Sequence, residues 1–360
     1  MRILHVAPFY APAWAYGGMA RAATGLGQAL VRRGHDVTVV TSQAGADPRD
    51  ERREGVRVVR FPGPALLLRR LVPVALGLGR WLEREVDGFD VAHLHGHRSG
   101  LAWIAARALA RHRVPFVLQP HGTYPHHGQH RLAKALLDRL GSGRIVSGAA
   151  ALLALSQAEA AELPRPARVV PNGVEAPGRA APTSKSSSRL LFVGSDAPQK
   201  RVAALIRVLD AQPTAEMHLV GRFSPRCLRR FTRFGPRVVA RGVLAGDELA
   251  QAYAEAALVV HPAVAEAFGL VPFEAALLGT ASVACAGHGV GEWLARAGGC
   301  TVPPDDGPAL DAAVKVRLQD PALARGEARS VAAFAARELS WDRAAAEVEA
   351  VYRESAGAIV

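Results

Sequence analysis

RILHVAP at residues 2–8 is followed by a glycine pair at Gly17 and Gly18, by MARAATGLGQALVRRG at 19–34 and by HDVTVVT at 35–41. The first piece is a short apolar run stopped by Pro8, the pattern of a buried parallel strand over Arg2–Pro8. The second has helical periodicity from Gly18 to Arg33 and ends at Gly34, where a helix commonly stops. The third is a β-branched run over Asp36–Thr41. Strand, glycine loop, helix, strand is one βαβ unit, and that unit predicts an α/β fold.

The alternation continues outward. Val56–Phe61, Val91–His95, Phe116–Gln119 and Ala150–Ala154 have strand character, with helical patterns such as Ser99–Arg111 and Arg131–Leu140 between most of them. Ala176–Arg189 is rich in Pro, Ala, Ser and Gly, the composition of a linker. A second alternating half follows: Leu190–Val193, Glu216–Val220, Val238–Ala240, Leu258–His261, Ser282–Ala284 and Cys300–Val302. A last helix is expected from about Trp341 to Ser355. The expected organisation is therefore a first Rossmann-like domain at 1–175, a linker at 176–189, a second at 190–340, and a terminal segment at 341–360 crossing back to the first. Two doubly wound domains leave one cleft, and ligands in such sheets bind at the carboxyl ends of the strands.

Length and composition agree with two cores. The chain has 360 residues, of which 49% are hydrophobic and 21% charged; that length suits two domains and that charge content argues against disorder. Lys and Arg number 44 against 32 Asp and Glu, a net charge of +12. The excess attracts phosphates, although much of it is Arg scattered along an Ala-, Gly- and Arg-rich chain, as a compositional bias of the source would produce. Nucleic-acid binding is disfavoured by 6% aromatic residues and by the absence of a recognised motif. Cys227, Cys285 and Cys300 are too few for a disulfide framework and have no metal-type spacing, which fits a reducing cytoplasm. The N-terminal run is too short, too polar at His5 and too abruptly ended at Pro8 for a signal peptide. No apolar run reaches the ~18 residues of a transmembrane helix.

The most specific chemistry lies in HPAVAEAFGLVPFEAALLG, residues 261–279. A strand ends at His261, a loop carries Glu266 and Gly269, and a helix starts near Pro272. Glu266 sits in the loop and Glu274 in the first helical turn, so both can face one cleft. The backbone N–H groups of Phe268, Gly269 and Leu270 stand just before a helix N-terminus, suited to phosphate or hydroxyl oxygens. Taken singly, Glu274 is an ordinary first-turn acid favoured by the helix dipole, and Glu266 a solvated loop acid.

The whole string resembles glycosyltransferase family 4, whose hallmark is Glu, seven residues, Glu. The segments at 1–41, QPHGTY at 119–124, VVPNGV at 169–174 and LGTASVACAGHGVGEWL at 278–294 are similar to that family's glycine loop, His-Gly segment, domain-end motif and glycine turn. The first half is most similar to members that build exopolysaccharides and other bacterial surface glycans. The resemblance implies the GT-B architecture and retaining transfer of a hexose-type sugar from a UDP-, GDP- or ADP-linked donor to a glycan, lipid-linked or small-molecule acceptor. It implies no metal and no further cofactor. By the same resemblance Glu274 would hold the donor ribose, Glu266 the transferred sugar, and Lys200 the leaving diphosphate. His121 would lie beside the sugar. Gly17 and Gly18 would let the backbone approach the diphosphate, with Gly194 in the strand-end loop. His121, Lys200 and Glu266 are then the candidate catalytic residues.

One departure stands out. The family's Gly-Arg, then five residues ending in Lys, then Gly becomes here Gly194-Ser195 and Lys200-Arg201. A departing diphosphate favours two cations, so Arg201 or Arg222 is expected to replace the missing Arg. A binding protein that has lost catalysis, or a sugar-nucleotide epimerase of the same architecture, remains open.

Three weaker signals complete the reading. His93, His95 and His97 alternate on a strand and so share one face, a pattern that can bind zinc; His95 is expected at the acceptor side instead, with no metal. His126, His127 and His130 form a polar cluster whose preferred reading is a solvated loop, with His126 as a second acceptor-side candidate. FPGPALLLRRLVPVALGLGRWL at 61–82 suits either an anionic membrane surface or a helix packed on the first domain with its arginines outward, and packing is the preferred reading. A cytoplasmic protein is expected, with peripheral contact at the inner membrane face as an option. Asp47–Glu54 is expected as a solvated loop.

Overall fold

The computed structural model describes residues 1–14, 17–43, 48–63, 75–124 and 131–357. It separates into two compact units. The first is Met1–Gly173 with Trp341–Val360, and the second is Val174–Ser340.

The first unit carries β1 (Arg2–Val6), β2 (Asp36–Ser42), β3 (Asp50–Arg53), β4 (Val56–Phe61), β5 (Val91–His95), β6 (Phe116–Gln119), β7 (Ala151–Ala154) and β8 (Arg168–Val169). They form one sheet in the order β3-β4-β2-β1-β5-β6-β7-β8. From β4 to β7 this is the doubly wound order, which reverses between β1 and β5. Burial explains the strand assignments: β1, β2, β5 and β6 are rich in apolar residues and almost wholly buried, as parallel strands covered on both faces are. β3 corrects the expected loop at Asp47–Glu54. Asp50–Arg53 pairs antiparallel with β4 at the sheet edge, where Arg57 of β4 holds Asp50 at 2.9 Å. Charged edge strands of this kind discourage further pairing.

The helix Trp341–Gly357 packs in the same core as the helix Gly18–Arg32. Of the 61–82 segment, Phe61, Ala75, Leu78, Trp81 and Leu82 are buried in the first unit's core. Arg80 is exposed. This is the packed alternative; residues 64–74, with Arg69 and Arg70, lie outside the described residues.

The second unit carries β9 (Arg189–Ser195), β10 (Glu216–Arg222), β11 (Val238–Gly242), β12 (Leu258–His261), β13 (Ser282–Cys285) and β14 (Cys300–Val302). All pair in parallel in the order β11-β10-β9-β12-β13-β14, with the reversal between β9 and β12. The division between units falls after Gly173, and the Pro- and Ser-rich stretch that follows is tied to the second unit. The Arg179 amide donates to Asp247, the Ala181 amide to Gln251, and Lys185 to the Ala254 carbonyl and Thr280. Among the described residues no helix is long and apolar enough to cross a membrane.

Candidate functional site

Two groups of side chains collect at strand ends, one in each unit, each at that sheet's reversal point. In the second unit β9 ends at Ser195 and leads through a short 3-10 turn to Lys200, while β12 ends at His261 and leads to Glu266. The Val264 amide donates to the Gln199 carbonyl at 2.9 Å, which ties the two loops together. Lys200 Nζ then lies 2.6 Å from Glu266 Oε1, and His261 Nε2 lies 2.6 Å from Glu266 Oε2. Burial alone would raise the Glu266 pKa, but Lys200 and His261 outweigh it, so the carboxyl is held ionised well below its ordinary range. With that carboxylate charged, the His261 nitrogen facing it must carry the proton. His288 braces the loop through a 2.7 Å bond to the Ala263 carbonyl.

Glu274 occupies the first turn of the helix Val271–Leu277, and its carboxylate accepts from the Tyr253 hydroxyl at 2.9 Å. Phe268 is buried, stacked on Phe273 at 5.5 Å, so its backbone alone is left for a ligand. Leu270 caps the same helix. Gly269 has φ +77°, and a Cβ there would fall 2.6 Å from a Val290 methyl; both facts demand glycine. Gly194 lies on β9 opposite Gly221.

The departures from the family pattern have structural correlates. Arg201, at the position where glycine is expected, adopts φ +47°, the left-handed region that disfavours side chains. Its guanidinium is turned to the Pro304 carbonyl and to Asp305 at 3.0 Å. Arg222 ends β10 directly opposite Ser195 in the strand register. The register thus brings an arginine beside the strand position that lacks one.

In the first unit His121 follows β6 and also has a left-handed backbone, φ +54°. Its loop is held by groups that the sequence reading missed. Glu159, buried, accepts from the Gly122 and Leu155 amides, and Arg98 donates to the carbonyls of Thr123 and Tyr124 and to Asp138. A signal for Glu159 was present: Ser156 and Glu159 form an S-x-x-E capping pattern, and the Ser156 hydroxyl does accept the Glu159 amide. Gly17, with φ +96°, and Gly18 open the helix Gly18–Arg32.

The expectation for His95 changes. It is fully buried and both ring nitrogens are occupied, by His5 at 3.2 Å and His121 at 2.9 Å. No acceptor can touch it directly. His126 lies outside the described residues, as do His127 and His130.

Burial depresses these imidazoles. His5 and His121 fall to about 3, and His93 and His95 lie well below 6.5 through burial and neighbouring histidines. A base depressed in the fold takes up protons more readily when unfolded. Their contribution to stability is therefore full above pH 6.5 and is lost as pH falls from 6.5 toward 3. His5 alone should cost about 2 kcal/mol at pH 5, from 1.5 pH units at 1.36 kcal/mol each. His112, raised by Asp87 and Glu83, acts in the opposite sense but is solvent-screened. The melting temperature should start to fall near pH 6.5. A profile flat from pH 7.5 to 5 would contradict the depression.

The chain is similar to known proteins over most of its length. The family model for Glycosyltransferase Family 4 matches residues 16–176, and that for Glycosyl transferases group 1 matches residues 187–320. A D-inositol 3-phosphate glycosyltransferase of Streptomyces bingchenggensis is 30% identical over 328 residues, covering 77% of this chain and 69% of that protein. A glycogen synthase of Mycobacterium tuberculosis is 29% identical, covering 98% and 94%. Among solved structures, Anabaena HepE in complex with UDP and glucose superposes with a TM-score of 0.75 at 20% identity, covering 98% of this chain and all of that one. Sucrose-phosphate synthase from Thermosynechococcus elongatus gives 0.76 at 20% identity, covering 98% and 99%. The chain belongs to glycosyltransferase family 4 and is a glycosyltransferase of GT-B architecture.

Proposed function

We propose that this enzyme transfers a hexose-type sugar from a nucleotide diphosphate donor to an acceptor hydroxyl, with retention at the anomeric carbon. The observation that carries the reading is the Lys200–Glu266–His261 network at the β9/β12 reversal, with Glu274 one helical turn beyond the same loop. A lysine ammonium has three donors, so Lys200 can keep Glu266 and still hold a diphosphate oxygen. Glu266, ionised, accepts hydrogen bonds from hydroxyls of the transferred sugar. Glu274 accepts from the ribose diol, and the backbone at 268–270 meets phosphate or sugar oxygens. By resemblance to the family, Gly17 and Gly18 are assigned to the diphosphate and His121 to the sugar.

In the reaction the bond from the anomeric carbon to the diphosphate oxygen breaks. The acceptor oxygen bonds to that carbon on the same face, and its proton passes to the departing phosphate. Positioning and charge stabilisation then supply the rate. Arg222, directly opposite Ser195 in the strand register, is the stronger candidate for the second cation, because it stands beside the strand position where the family's Arg is missing. We place the reaction in the cytoplasm, on a glycan, lipid-linked or small-molecule acceptor; the three cysteines are unpaired, as in a reducing compartment.

The test is a thermal-shift panel of UDP, GDP and ADP on wild type and Glu274→Ala. A nucleotide at about 100 times its Kd adds roughly 2.7 kcal/mol, a shift of several degrees. One nucleotide should stabilise wild type, and Glu274→Ala should weaken its binding by about 1–3 kcal/mol. If none stabilises wild type, the reading fails, and the replacement of the usual Arg by Ser195 points to a protein that has lost donor chemistry.

A further inference from the structure

Five polar side chains of the first unit meet inside its apolar interior. His5 on β1 pairs in register with His93 on β5, and His95 stands two residues along the same face. Tyr352 reaches them from the helix Trp341–Gly357, and all four are buried. His93 Nδ1 lies 2.7 Å from the Tyr352 hydroxyl, which lies 3.1 Å from His5 Nε2. His5 Nδ1 lies 3.2 Å from His95 Nε2, and His95 Nδ1 lies 2.9 Å from His121 Nε2. The result is an unbroken chain from His93 to His121. At its inner end His93 Nε2 is buried with no partner among the described residues.

His5, His93 and His95 offer nitrogens within 4.8 Å of one another, close enough to suggest a metal. The ring planes argue otherwise. His93 and His95 are stacked, with centroids 4.2 Å apart and planes 11° from parallel. Imidazole lone pairs lie in the ring plane, so two stacked rings cannot both aim at one ion at the ~2.0–2.1 Å of a zinc–nitrogen bond. The donor set fits a hydrogen-bonded chain better.

Burial keeps each imidazole neutral, as the depressed pKa values above indicate. A neutral imidazole has one N–H and one bare nitrogen, and each contact in the chain takes one proton. Three polarities satisfy every contact. In one of them Tyr352 accepts from both His93 and His5, its own buried O–H has nothing to receive it, and His121 is the Nε2–H form. The other two run one way along the whole chain. In one, each histidine is protonated at Nε2, Tyr352 donates to His93, and His93 buries an N–H with nothing to receive it. In the other, each is protonated at Nδ1, Tyr352 donates to His5, and the unpartnered atom is a bare nitrogen. Orphaned buried donors are the rarer and costlier defect.

We propose that this chain is a tautomer lock, in which His5, His95 and Tyr352 act as positioning residues that hold His121 as the Nδ1–H imidazole. Its functional consequence rests on the reading above, which puts His121 beside the sugar. There His121 donates a hydrogen bond to a sugar oxygen and takes no proton from the acceptor, so that proton is left to the phosphate.

The experiment is a long-range proton–nitrogen NMR correlation on full-length protein with 15N-labelled histidine at pH 7.5, with His121→Gln used to assign the His121 signals. The expected spectrum shows His121 protonated at Nδ1 and bare at Nε2. In His95→Phe that single tautomer should give way to a mixture. His121 as the Nε2–H form, as a doubly protonated ring, or unchanged in a folded His95→Phe would overturn the lock. So would stoichiometric zinc whose removal by a chelator shifts the His5, His93 and His95 signals. If His95→Phe does not fold, the wild-type spectrum decides alone. An active transferase with Nε2–H His121 refutes the lock and spares the function; inactive protein with Nδ1–H His121 does the reverse.

Discussion

Lys200→Ala lowers turnover by about 100- to 1,000-fold, the loss typical of removing one group that stabilises developing charge. Donor affinity falls by less, under about tenfold, because charge on the leaving diphosphate grows toward the transition state and Lys200 acts most strongly there. The measurement is kcat and donor KM, with a separate dissociation constant for the nucleoside diphosphate. Turnover unchanged within twofold would remove Lys200 from the mechanism.

A second cause of the same loss must be separated. Lys200 also holds Glu266 at 2.6 Å, and its removal leaves that carboxylate to His261 alone. A double-mutant cycle with Glu266→Gln distinguishes the two. If Lys200 acted only by placing Glu266, the double variant would be no worse than Glu266→Gln. If it meets the diphosphate itself, the double variant is slower by a further large factor. Arg222→Ala gives an internal scale. At the end of β10, opposite Ser195, it should cost turnover in the same sense. Full activity there would return the role of second cation to Arg201, whose present partners Pro304 and Asp305 would then have to release it.

The strands were legible because a buried parallel strand is mostly apolar, and β4, β5, β6 and β12 have the bounds read from their apolar runs even though Arg57, Arg60, His93, His95, Gln119 and His261 interrupt or end them. β3 was not, because an exposed edge strand of charged residues lacks the alternation that marks a half-buried one. The spacing of Glu266 and Glu274 was legible as a motif. Their partners were not, since Tyr253 lies on an earlier helix and Lys200 follows a different strand. His5 looked like one polar residue in an apolar run. Its partner Tyr352 is 347 residues away, and no local pattern encodes a contact of that range. The charge of +12 does not distinguish the function either: many of the arginines are spent on surface pairs such as Arg32–Asp342 and Arg233–Asp210, which contribute little.

Trp341→Ala should be strongly destabilising, at about 3–5 kcal/mol for a buried tryptophan. The indole is 8% exposed and packs in the core with Leu26, Val170 and Ala345. It fits there because two positions have no side chain. A Cβ on Gly25 would come within 2.2 Å of the ring, and one on Gly173 within 2.3 Å. The cavity left by alanine is bounded by a helix and a strand-end loop that cannot both collapse inward, so the cost belongs at the upper part of the range. The midpoint of the first unit's unfolding should fall by about 6–20 °C, read by calorimetry because two units need not melt together. Gly25→Val should be destabilising from the opposite side, by overpacking against the same ring. The loss would not stay local. Trp341 opens the helix that carries Tyr352 to His93 and His5. If that helix loosens, the buried histidines admit water and regain their ordinary basicity. The acid sensitivity that begins near pH 6.5 in wild type should therefore be weaker in Trp341→Ala, although the protein is less stable at every pH. A variant with wild-type stability would mean that the Gly25–Trp341–Gly173 contact does not anchor the terminal helix, and the link from that helix to His121 would fail with it.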